Sequence, residues 1–145
     1  MDWDELAKLA ADPLVTIGSA TVNYPVLANL KDAAALREMT MGKAVAQAAL
    51  QRDVRHFAYP FGDRAAFRRH HVAMAAEAGF VSAASAISGV VRTEGRTNLQ
   101  ALPRIAWDGR RRSLRIMRVI LSGVTFRRRN AVRMQDSRHP AAPSS

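Results

Sequence analysis

Val54-Arg55-His56-Phe57-Ala58-Tyr59-Pro60-Phe61-Gly62-Asp63 is the stretch whose reading decides the fold. Residues 54–59 alternate, with Phe57 and Tyr59 two positions apart on one face, which predicts a half-buried strand. Pro60-Phe61-Gly62-Asp63 breaks it. On its N-terminal side, Asp32 to Leu50 reads as the longest helix, with Leu36, Met39, Ala46 and Leu50 as an inner face. Before that helix, Leu14 to Gly18 reads as a short buried strand and Ser19 to Pro25 as the loop at its end. The chain opens with a helix that Asp2 caps, Glu5 lying at capping-box spacing, and Asp12-Pro13 ends it. Leu6, Leu9 and Ala10 form its apolar face. On the C-terminal side, Arg64 to Ala78 predicts a helix with Gly79 beyond its end. Phe80 to Ala84 follows as a strand, 87–98 as a loop, and Leu99 to Trp107 contains a fourth strand. Arg110 to Val124 reads as a basic helix with Leu114, Met117, Leu121 and Val124 on one stripe. Strands alternating with helices predict an α/β fold with a parallel sheet, whose functional residues collect on the loops after the strands.

Composition narrows the function classes. The chain has 145 residues, 48% of them apolar and 23% charged, enough for a core in a domain of ordinary size. Cysteine is absent, which excludes disulfides, thiolate zinc sites and a Cys nucleophile. No apolar run reaches the ~18 residues of a membrane span, and the acidic start lacks the apolar core of a signal peptide. The chain as given is therefore expected in the cytoplasm. Net charge is +10, but residues 104–138 hold 11 arginines against Asp108 and Asp136. The basicity thus belongs to the last third of the chain, and the first two thirds are nearly neutral. The domain is expected over 1–126, followed by a basic tail over 127–145 with a disordered end.

Two of the loops carry recognisable motifs. Ile17-Gly18-Ser19-Ala20-Thr21-Val22-Asn23-Tyr24-Pro25 resembles the second motif of the NodB-type polysaccharide deacetylases, roughly I-G-[AS]-H-[ST]-x-x-H-P. Arg55-His56-Phe57-Ala58-Tyr59-Pro60-Phe61-Gly62 resembles their third, R-x-F-x-Y-P-[FY]-G. Glu77-Ala78-Gly79-Phe80 and Leu102-Pro103-Arg104-Ile105 also sit where that family has such residues. The resemblance runs from about Trp3 to Gly123. It implies a distorted (β/α) barrel, here partial, with about four short parallel strands. It also implies an ancestral activity: removal of N-acetyl groups from sugar polymers by water activated on a divalent metal, usually zinc.

The same resemblance exposes departures. The first motif, a T-F-D-D-G-type strand end that supplies the base and one metal ligand, has no counterpart here. Ala20 and Tyr24 stand where the family has its two metal histidines. Ala has no ligand atom, and a protonated phenol is a poor zinc ligand. No cofactor is therefore expected in this chain. Asn98 lies near the place of the late general-acid histidine. By resemblance, Arg55 would orient the missing catalytic Asp, the backbone N–H of Tyr59 would serve an oxyanion, and Pro60, Phe61 and Asp63 would line the sugar cleft. The expected partner on this side is an N-acetylated glycan, with catalysis impaired or lost. Upstream sequence could restore the first motif but not Ala20 or Tyr24.

Each signal has a plainer alternative. Arg55 pairs equally well with a surface carboxylate, and residues 59–62 can be only a turn. His70 and His71 are adjacent on a helix and should point about 100° apart, which predicts no shared metal face. His56 should oppose Phe57, His139 lies in the tail, and no metal cluster is expected among the four. Arg110, Arg111, Arg112, Arg115 and Arg118 form the solvated side of a helix packed on the barrel, or else a basic amphipathic helix meeting an anionic polymer or lipid. A partial barrel exposes sheet edges and so predicts a rearranged open α/β fragment, self-association or poor solubility.

Overall fold

A computed structural model describes residues 2–91, 97–107, 109 and 113–126. Helix α1 spans Trp3–Ala11 and α2 spans Asp32–Leu50. Strand β1 covers His56–Ala58, α3 covers Arg69–Glu77, and β2 covers Ser82–Ser88. Strand β3 is Leu102–Arg104 and α4 is Leu114–Leu121. The strands form one parallel sheet in the order β1-β2-β3. Among the described residues, no helix is long and apolar enough to cross a membrane.

Local chemistry explains most boundaries. Asp2 accepts from the Glu5 amide and the Glu5 carboxylate accepts from the Asp2 amide, so the expected capping box starts α1. α2 has the expected bounds and buries Ala35, Met39 and Gly42, with Leu36, Ala46 and Leu50 half-buried. The Lys43 ammonium donates to the carbonyls of Ala78 and Gly79, satisfying acceptors at the end of α3 from the side of α2. Around this frame lies a core of Leu27, Met39, Phe57, Tyr59, Phe67 and Phe80. Tyr59 stacks on Phe67 at 4.1 Å, and Phe57 meets Tyr59 edge-on at 5.1 Å. Such pairs add about 1 kcal/mol each beyond their burial.

Several expected elements are shifted. The strand expected over 14–18 shrinks to one parallel bridge at Ser19, whose N–H donates to His56 O and whose O accepts from Ala58 N. The cause lies just upstream: Asp12 accepts from Leu14 N through its side chain and from Val15 N through its backbone. That turn consumes the residues meant to pair, and Leu14 is 92% exposed. The helix expected from Arg64 starts only at Arg69, because the Asp63 carboxylate turns residues 64–66 and Phe67 drops into the core. Strand β2 runs on to Ser88, so the expected loop begins at Gly89. The basic helix is shorter than expected, and Arg110, Arg111, Arg112 and the tail over 127–145 lie outside the described residues.

Candidate functional site

Two loops meet at the C-terminal edge of the sheet: 20–25 after the Ser19 bridge, and 59–63 after β1. Each carries an aromatic residue in a left-handed backbone conformation, Tyr24 at φ 54° and Phe61 at φ 59°. Non-glycine residues rarely adopt this region, and where they do the surroundings must hold them there. Here the two rings hold each other, with centroids 5.3 Å apart. Both remain 55% exposed, so the pair is a platform open to solvent. Pro60, next to Phe61 in the chain, is fully buried. The Gly62 carbonyl accepts from Ala86 N at 2.8 Å, which ties the tip of the second loop to β2. The first loop is tied to α2, where Glu38 accepts from both the Asn23 amide and its side-chain nitrogen. The Thr21 hydroxyl is buried beneath this loop without a hydrogen-bond partner.

The residues named from sequence take varied places. Arg55 is largely exposed and lies 3.8 Å from the Asp53 carboxylate, a loose surface pair. Screening leaves such a pair little energetic weight. The Tyr59 N–H donates to Ala84 O, so this donor is already engaged in the sheet. The Tyr59 ring is a core pillar whose hydroxyl donates to Gln100 O, and burial raises its pKa well above that of a free phenol. Asp63 uses one oxygen to accept from the Ala65 and Ala66 amides, a turn-capping role. Ala20 is half-buried and Tyr24 turns its ring toward Phe61.

The expectation that His70 and His71 diverge is corrected. Their Nε2 atoms lie 3.1 Å apart, and the Asp32 carboxylate is 3.4 Å from the His70 ring. Both histidines sit in the first turn of α3, where the His71 ring folds back and its Nδ1 accepts from the Arg68 amide at 2.9 Å. An N–H donor at Nδ1 fixes the neutral tautomer, so the His71 proton sits on Nε2 and points to His70. Asp32, His70 and His71 are thus gathered within the reach of one cation, contrary to the expectation that no such group forms. In this tautomer, however, His71 offers that centre a proton and no lone pair. His71 lies three residues after the observed N-cap Arg68, a capping position hidden from a sequence reading that starts the helix at Arg64.

Burial and the neighbouring His70 lower the His71 pKa below its usual 6.5. Asp32 opposes that shift, and Arg68 adds to it. The unfolded chain therefore binds the proton first as pH falls. His71 should contribute stability fully above about pH 6.5, and lose it as pH drops below that value. A protonated ring also cannot accept from Arg68. His71→Asn keeps an acceptor but cannot titrate. Denaturant titrations across this range should show a steeper acid loss for the natural chain than for His71→Asn. Parallel curves would remove His71 from the account.

Comparison with known proteins agrees with this geometry. The family profile of polysaccharide deacetylases matches residues 1–83, more than half of the chain. No curated protein matches the sequence. Among solved structures, the deacetylase PplD of Streptococcus pyogenes, in complex with acetate, superposes with a TM-score of 0.63 at 19% identity. The alignment covers 72% of this chain and 44% of that one. A polysaccharide deacetylase of Bacillus cereus gives 0.62 at 17% identity, covering 72% of this chain and 32% of its own. The sequence in hand thus spans less than half of either. The shared architecture is a (β/α) barrel, and the sheet described above is an unclosed part of one.

Proposed function

From the premise that this chain belongs to the polysaccharide deacetylase family, we propose that it contacts N-acetylated glycan through the Tyr24–Phe61 platform and is impaired in the hydrolysis itself. The observation that carries the reading is the exchange at Tyr24. Where the family motif places a metal-binding histidine, this chain places an aromatic ring that leans on Phe61 in a strained backbone conformation. Sugar rings present faces of C–H groups, and exposed aromatic faces bury them well. Pro60, expected to line the cleft, is fully buried and so does not itself meet the glycan. Asp63 acts through the turn that it caps.

The family's divalent metal does not fit the residues present. Ala20 offers no ligand atom and Tyr24 a neutral phenol. The Asp32–His70–His71 group presents a ring proton where a ligand would need a lone pair. The oxyanion role of the Tyr59 N–H is likewise unsupported while Ala84 holds that donor. Arg55 belongs to the motif but engages Asp53.

The test is a pair of assays on the whole chain with N-acetylglucosamine oligomers. Acetate release should stay at the buffer background with or without added zinc. Titration followed by nuclear magnetic resonance should show weak binding that shifts the Tyr24 and Phe61 ring signals. Phe61→Ala should weaken it about tenfold, the loss of ~1.4 kcal/mol expected for an exposed stacking ring. Zinc-dependent acetate release, or binding untouched by Phe61→Ala, would overturn the reading.

A further inference from the structure

Helix α4 is the least satisfied element of the fold. None of its residues is buried. Leu114 is 71% exposed and Leu121 60%, and Ile116, Met117, Val119 and Val124 are exposed as well. At 100° per residue, Leu121, Met117, Ile120 and Ile116 form one broad apolar sector with Leu114 at its edge. Arg118, Ser122 and Arg115 occupy the narrow wedge opposite, and both arginines are exposed. The alternative in which this helix packs its apolar stripe on the barrel is therefore not what the structure shows.

Charge decides what covers this face. In sequence, Arg110 to Arg112 precede the helix and Arg127 to Arg129 follow it, and α4 itself carries no carboxylate. A second copy docked through the same face would bring together two chains of net charge +10 each. A nucleic acid would neutralise the arginines but leave six large apolar side chains in water. An anionic bilayer surface satisfies both: the apolar sector enters the acyl boundary while the arginines reach phosphate headgroups. We propose that α4, through its apolar sector and with Arg115 and Arg118, seats this chain in the plane of an anionic lipid surface.

The test is flotation of the whole chain with vesicles of phosphatidylcholine alone and of phosphatidylcholine mixed with phosphatidylglycerol. Binding is expected to the mixed vesicles only, and to weaken in high salt. Each arginine near such a surface is worth about fivefold in partitioning. Arg115→Glu/Arg118→Glu should therefore weaken binding by more than about tenfold. Leu121→Glu should weaken it comparably, through the apolar side alone. Neither variant touches a buried residue, so thermal melts should be unchanged and a loss of binding cannot be blamed on unfolding. Three results would overturn the proposal: no binding to anionic vesicles, dimerisation that Leu121→Glu abolishes, or tighter binding to a DNA duplex that Leu121→Glu leaves intact.

Discussion

Replacing Gly42 by alanine will destabilise this chain by about 2–3 kcal/mol, although in an exposed helix interior the same change stabilises by about 1 kcal/mol. Gly42 is buried in the middle of α2, where that helix crosses the 20–25 loop. An added Cβ would lie 2.1 Å from the Ala20 carbonyl oxygen and 3.1 Å from the Thr21 carbonyl carbon. Both obstacles are backbone, so no side chain can swing aside. Either α2 moves outward, opening the contact around Met39, or the loop lifts. Denaturant unfolding of the pair of proteins measures the difference. The loop also carries Tyr24, so Gly42→Ala should weaken glycan contact along with stability. A gain in stability would mean that α2 and the loop do not approach this closely.

Gly62→Ala should cost a similar amount, about 3 kcal/mol, for a compound reason. Its φ of 68° lies in the left-handed region, which costs a residue bearing Cβ about 1 kcal/mol. The added Cβ would also fall 2.6 Å from Ala86 N, the donor that ties this loop to β2. Forced crowding of this kind adds roughly 1–3 kcal/mol. Gly79 separates the two causes. It has φ of 76°, but the nearest obstacle is the far end of the long Lys43 side chain, at 3.1 Å, rather than backbone. Gly79→Ala should therefore lose only about 1 kcal/mol, the conformational part. Equal losses at the two glycines would show that Ala86 does not confine the loop. Because Phe61 precedes Gly62, the larger loss should come with a looser ring and weaker glycan binding.

These two glycines mark the boundary between what was legible and what was not. The alternation through Phe57 and Tyr59 and the break at Pro60 foretold a strand and a loop, and both stand where expected. The Asp2–Glu5 capping box and the bounds of α2 were equally plain, because their causes lie within a turn or two of sequence. The strand over 14–18 failed because the Asp12 turn competes with it locally, and pattern alone does not weigh a turn against a strand. The helix from Arg64 failed for a like reason: Asp63 can cap a single turn as readily as a helix. At the site, the motif residues were found by pattern, but their roles were not. Whether the Tyr59 N–H faces a ligand or Ala84 depends on which strand lies beside it.

By itself the sequence determined the alternation of strands and helices, the loops that carry the motifs, the family, and the charge gathered in the last third. Each rests on neighbours along the chain. Tertiary structure decided the rest. It set Tyr24 against Phe61, closed the His71 ring on Arg68, spent the Tyr59 donor on Ala84, and left α4 uncovered. Those outcomes join residues far apart in sequence, or turn on which way a side chain rotates. Periodicity constrains neither, because it records the face a residue occupies and not what the rest of the chain brings to that face.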